Sequence, residues 1–199
     1  LWRTLDEHYC FFSYKHEAYG LDWNEVHAKY RPMISSQMSN RQLFEVLSKM
    51  TYELRDGHVN LSAAHDISRY GAWFDDFPMN FSDSLQRRYL GRSEEYQQAS
   101  GLKYRLLTDN VGYIRCASFE NTFGDGNLQE MFRYLATCTA LIIDVRSNGG
   151  GMLTAAEKLT SCFINEEQTV GYMCHKTGTG HDDFSAQEAI RLKPFKGLR

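Results

Sequence analysis

Two short stretches carry residues that could do chemistry. In "LIIDVRSNGGG", Leu141 to Gly151, an apolar run passes into three consecutive glycines and then into the helical pattern "MLTAAEKLTSCF". A glycine-rich turn at a helix N-terminus turns bare backbone N–H groups toward a ligand, and the helix dipole adds favourable potential for negative charge. The anion could be a phosphate, yet "SNGGGML" has neither the Lys-Ser/Thr of a P-loop nor G-x-G-x-x-G spacing. It could be the oxyanion of an acyl-transfer transition state, which needs one or two fixed N–H donors. A tight connection that binds nothing remains a third reading, because glycine also serves wherever the backbone must take an unusual turn. In "LRDGHVNL", His58 follows a glycine placed to end a helix and stands at the mouth of a strand. An imidazole there can take a proton from a hydroxyl nucleophile and return it to a leaving amine.

Other candidates are weaker. His8, His16, His27, His65, His175 and His181 read as surface or core histidines, and a metal set of His175, His181, Asp182 and Asp183 lacks HExxH or paired-ligand spacing. The five cysteines, Cys10, Cys116, Cys138, Cys162 and Cys174, are scattered without CxxC spacing and read as free thiols. The net charge of -3 offers no one-sided basic footprint, which argues against duplex binding. No window nears the roughly 18 unbroken apolar residues of a membrane span. The opening "LWRTLDEHYC" reads as an amphipathic helix and not as a signal peptide, so the compartment stays open.

These residues need elements to hold them. At 199 residues the chain suffices for one sizeable core, and no linker is visible. Helical spacing predicts helices over "LWRTLDEHYCFF", over "DWNEVHAKYRPMI" with Asp22 as N-cap, and over "SNRQLFEVLSKMTYELRDG". In the last, Leu43, Phe44, Leu47, Met50 and Leu54 share a face and Gly57 is available as the stop. "HVNLSA" alternates as a short strand, and "LQRRYLGRSEEYQQASG" reads as a solvated helix. "LKYRLL", a "TDN" turn and "VGYIRCASF" form a strand pair, with "LQEMFRYLA" a helix after it. "ALIIDV" is continuously apolar, as a strand buried on both faces should be, and "TVGYMCHK" is a further strand before the glycine-rich "TGTGHDDFS".

In this order, "ELRDGHVNL", "NVGYIRCASF" and "LIIDVRSNGGG" before a helix resemble the C-terminal-processing, or tail-specific, serine peptidases, and more closely their tricorn-like, histidine-using branch. "GYMCHKTGTGHDDFS" also looks like a segment of that branch. The resemblance implies an α/β fold: a helical N-terminal region, residues 1–57, followed over 58–199 by part of a crotonase-like core of ββα units. It implies His58 as general base, and Gly149 and Gly150 as oxyanion-hole N–H donors with Gly151 opening the helix. Asp144 and Arg146 match a D-x-R that would support the loop. No metal or organic cofactor is implied, the partner being a peptide or protein substrate, and the location an extracytoplasmic or envelope one.

Two departures follow. The span from about Ala64 to Gly101 is too short for the PDZ module many members carry, which puts strand-addition capture of substrate C-termini in doubt. No serine sits in a G-x-S-x-G elbow, and Ser147 matches a loop position, so the nucleophile is expected outside this chain. The chain then reads as a piece of a serine peptidase, inactive alone, with an exposed sheet edge through which copies could associate. A rival from another class is a non-catalytic peptide- or ligand-binding module on the same fold, with the aromatics of "YGAWFDDFPMNF" lining a groove. A catalytic reading further expects the glycine amides to face a cleft and the His58 ring to share it.

Overall fold

The computed structural model describes residues 1–72, 75, 77, 78 and 80–198. The chain divides into two compact units. One comprises Leu1–Pro78 with Met173–Glu188, the other Met79–Tyr172 with Ala189–Arg199.

The first unit is built on helices α1 (Trp2–His8), α2 (Phe12–Tyr19), α3 (Trp23–Tyr30) and α4 (Asn40–Tyr52), followed by strands β1 (Asn60–Ala63) and β2 (Asp66–Arg69). The opening pattern makes two helices where one was expected, interrupted at Tyr9, whose extended backbone ends α1. Asp22 caps α3 by accepting hydrogen bonds from the N–H groups of Asn24 and Glu25. Ser39 and Gln42 form a reciprocal capping box at the start of α4. The stop of α4 differs from expectation: it ends at Tyr52, and Arg55 instead of Gly57 takes the left-handed turn, with φ 47°. The buried Lys15 ammonium donates to the Arg55 carbonyl at 2.9 Å, which fixes that turn from outside the helix. Tyr9, Phe12, Trp23, Val26, Tyr30, Met50 and Leu54 form the core. β1 and β2 pair antiparallel as a hairpin, with Ala63 opposite Asp66.

The second unit begins with α5 (Asp83–Leu90), followed by strands β3 (Gln97–Ala99), β4 (Leu102–Leu106) and β5 (Val111–Cys116). The helical reading of 85–101 therefore holds only to Leu90; a 3-10 turn at Ser93–Glu95 follows, and Gln97–Ala99 pairs as β3 with β4, where Ala99 faces Leu102. α6 (Asp125–Tyr134) carries the chain across to β6 (Ala140–Asp144), and α7 (Leu153–Ser161) follows the glycines. β7 (Gln168–Met173) and β8 (Glu188–Leu192) make a separate two-stranded sheet.

The main sheet runs β3-β4-β5-β6, antiparallel to β5 and parallel between β5 and β6. A parallel neighbour requires a crossover, and α6 supplies it while burying Leu128 and Met131 against Leu102, Tyr104, Ile114 and Cys116. β6 is not buried on both faces as its composition predicts. Ile142 and Ile143 are 47% and 38% exposed, because β6 ends the strand order and core contact reaches it through Leu141. Among the described residues no helix is long and apolar enough to cross a membrane.

Truncating a fully enclosed side chain removes its transfer free energy and leaves a cavity. Leu54→Ala in the first unit and Leu128→Ala in the second should each cost about 2–5 kcal/mol. Ser39→Ala, which removes only a cap, should cost about 1 kcal/mol. Urea unfolding followed by circular dichroism measures all three.

Candidate active site

In the second unit the glycine loop spans the end of β6 and the start of α7. It is stitched to the segment after β5: Phe119 N–H donates to the Gly150 carbonyl at 2.8 Å, and Met152 N–H to the Phe119 carbonyl at 2.9 Å. Asn148 reaches across in both senses, its Nδ2 donating to the Cys116 carbonyl at 3.0 Å while its Oδ1 accepts the Gly150 N–H at 2.7 Å.

The three glycines have different reasons to be there. Gly151, at φ 135°, lies so close to Phe119 that a Cβ would sit 2.2 Å from that residue's carbonyl carbon. Gly150 has φ 88°, a conformation other residues rarely adopt. Gly149 has neither a positive φ nor any neighbour within 4 Å of an added Cβ. Among the described residues the amides of Gly149 and Gly151 donate no hydrogen bond, whereas that of Gly150 is taken by Asn148. The loop joins Asp144, where β6 stops, to Leu153, one residue either side of the expected limits.

Asp144 is the buried fastening of this loop. Its carboxylate accepts from Arg146 Nε at 3.0 Å and Nη2 at 2.6 Å, from the Arg146 backbone N–H at 3.0 Å, and from the Tyr113 hydroxyl at 2.5 Å. The Arg146 hydrogen bonds, with that of Tyr113, outweigh the cost of burial and hold the carboxyl far below the usual carboxylate range. Burial and the neighbouring Asp144 push the Tyr113 phenol up. Asp144 and Arg146 are thus bonded to each other where the loop leaves β6.

In the first unit His58 stands in the loop between α4 and β1. Its side chain is 96% exposed and its Nδ1 lies 3.4 Å from Asp56 Oδ1. Asp56 was not singled out by sequence, although it stands two residues before the histidine in the quoted motif. Its Oδ1 accepts the His58 backbone N–H at 2.8 Å and its Oδ2 accepts the Tyr9 hydroxyl at 2.8 Å. Burial works against the Asp56 carboxylate, but those two donors prevail and lower its pKa. Only the long-range contact from Tyr9 distinguishes this aspartate from any loop carboxylate, and nothing local in the sequence announces it.

The residues weighed as metal ligands have other partners. His181 Nε2 lies 2.9 Å from Asp6 Oδ1, and its ring stacks on Phe12 with centroids 4.2 Å apart. Asp182 accepts from the Ser13 hydroxyl, and Asp183 from the Gly180 N–H. Among the described residues no three His, Cys, Asp or Glu side chains are grouped to hold a metal. In the aromatic stretch Tyr70 to Phe81, Trp73 and Phe74 lie outside the described residues.

Comparison with known proteins places these features. Residues 110–195 match the profile of peptidase family S41, and residues 1–51 match that of the tricorn protease C1 domain. A candidate peptidase from Parabacteroides merdae ATCC 43184, solved at 2.26 Å, is 40% identical and superposes with a TM-score of 0.87 over 98% of this chain. The chain belongs to peptidase family S41. The glycine loop falls inside the S41 match, and His58 falls between the two matched segments. This S41 chain spans 60% of the length of the Parabacteroides protein. No curated protein matches it at a significant level.

Two outcomes follow from the loop geometry. Gly151→Ala should destabilise the second unit far more than Gly149→Ala, since only the former drives a Cβ into backbone. Asp144 has a lowered pKa when folded, so its stabilisation is complete above the unfolded carboxylate value of about 4 and is lost as pH falls below it. Asp144→Asn should lower stability at pH 7 and flatten the acid limb. Urea midpoints from pH 2 to 7 test this.

Proposed function

We propose that this chain is part of a serine peptidase of the tricorn-like, tail-specific branch, contributing the general base and an oxyanion-hole donor. The observation that carries the reading is Gly149. Of three consecutive glycines it alone is demanded by neither backbone conformation nor steric contact, and its N–H is unengaged among the described residues. An unspent, preorganised amide before a helix is what an oxyanion hole requires. Gly150, the second expected donor, already donates to Asn148, so it contributes only if that side chain yields.

In this mechanism His58 Nε2 takes the proton of a serine hydroxyl as its oxygen attacks the peptide carbonyl. The tetrahedral oxyanion accepts from Gly149 N–H. Collapse expels the amine, which receives the proton from His58, and water then cleaves the acyl-enzyme by the same route. Asp56, 3.4 Å from Nδ1, favours the tautomer that leaves Nε2 free to accept a proton. The serine is supplied from outside these 199 residues, and the substrate is a peptide or protein. An envelope location rests on the family likeness.

In the protein containing this chain, His58→Ala should lower kcat/KM on a fluorogenic peptide by about 10²–10⁴-fold without loss of helicity. Unchanged turnover would overturn the base assignment. The 199-residue chain alone should not be labelled by a fluorophosphonate probe. Stoichiometric labelling of one of its own serines, read by mass spectrometry, would place the nucleophile inside it.

A further inference from the structure

The second unit holds a cavity of about 300 Å³ beside α5 and the end of β5, whose lining includes Arg87, Lys103, Arg115, Asp83 and Ala117. Asp83 is the one carboxylate of that lining against three cations. The imbalance is deepest at Arg115, whose side chain is only 9% exposed. Its Nη1 donates to the neutral carbonyls of Cys116 and Asp144, and the nearest carboxylate oxygen, on Asp144, is 3.8 Å away and already serves Arg146. Two guanidinium groups therefore share one buried carboxylate, and Phe81 lies against both, 4.7 Å from Arg115 and 5.5 Å from Arg146. A buried charge is stable only when compensated, so this arrangement leaves room for one more anion. Arg87 has no ion pair among the described residues, and Lys103 Nζ meets only the Ser93 hydroxyl, at 3.0 Å. The cavity also adjoins the glycine loop through the chain itself. Ala117 lies between Cys116, whose carbonyl holds Asn148, and Ser118, whose hydroxyl reaches the Gly150 carbonyl at 3.4 Å.

We propose that this cavity is a subsite for a carboxylate of the peptide substrate, either an Asp or Glu side chain or the C-terminal group. The inference rests on the peptidase reading for its choice of anion. Arg115 supplies the fixed charge at the base, while Arg87 and Lys103 are the exposed arms that close on the ligand.

Three fluorescent hexapeptides test it by anisotropy on the 199-residue chain: one capped at both ends with a central Glu, the same with Gln, and the Gln peptide with a free C-terminus. The Glu peptide or the free-carboxylate peptide should bind at least about tenfold more tightly than the capped Gln peptide, and which one does so identifies the source. Arg87→Gln combined with Lys103→Gln should bring the preferred peptide to within about twofold of the neutral one. Both residues are exposed, and a circular dichroism spectrum matching the parent's fixes the fold as a constant. Equal binding of all three peptides overturns the subsite, as does a preference that survives the double substitution. Binding is read without turnover, so loss of this preference leaves the peptidase reading standing, and absence of hydrolysis leaves the subsite standing.

Discussion

The second unit depends on a single buried carboxylate. Asp144 ends β6 and ties together three things that would otherwise separate: the neighbouring strand through Tyr113, the outgoing chain through the Arg146 backbone, and the Arg146 side chain that covers it. A buried charge without partners is costly, so each bond is also a constraint on where the backbone can go next. The loop leaves β6 already aimed. Asn148 then repeats the tactic one turn later with a neutral amide, bridging the Cys116 carbonyl and the Gly150 N–H. Among the described residues two loop amides are left over, those of Gly149 and Gly151, and that of Gly149 sits between neighbours that are themselves bonded.

The three glycines answer to different demands. One is forced by the approach of the Phe119 backbone, one by a positive φ, and the third by neither. A side chain at Gly149 would meet open space in this unit, so neither packing nor backbone conformation calls for glycine there. A substrate backbone drawn close to the amide would use that space and is consistent with the electrostatic character of the loop.

Much of this was legible in sequence because it is written locally. The cap at Asp22, the strand pair around "TDN", and the strand-glycine-helix passage all lie within a few residues of the signal that announces them. The failures have a common cause. α4 stops at Tyr52 and Arg55 turns left-handed because Lys15, forty positions away, holds its carbonyl. β3 pairs with β4 although the preceding residues carry helical spacing. β6 has the composition of an interior strand but sits at the end of the order. Asp56 gains its significance from Tyr9. In each case a partner distant in sequence decides, and local periodicity carries no record of it.

The two halves of the proposed machinery are held differently, the glycine loop by buried bonds and His58 by contacts at the surface. An oxyanion donor stabilises charge best when it does not have to move, so it belongs on a loop locked by a buried carboxylate and by contacts that tolerate no added atom. A general base must also be positioned within hydrogen-bond reach of the proton it takes, and it can return that proton from the same ring nitrogen without turning. His58 has almost its whole side chain in solvent and is steered from one side. Asp56 grips its backbone N–H and waits beside its Nδ1, and Asp56 is itself gripped by Tyr9, whose ring lies in the aromatic core of its unit. The core thus fixes the carboxylate, and the carboxylate biases the imidazole. Removing the Tyr9 hydroxyl would loosen the second link while leaving the core's apolar contacts in place, so the energetic cost of steering His58 is confined to one hydrogen bond and separable from the cost of folding.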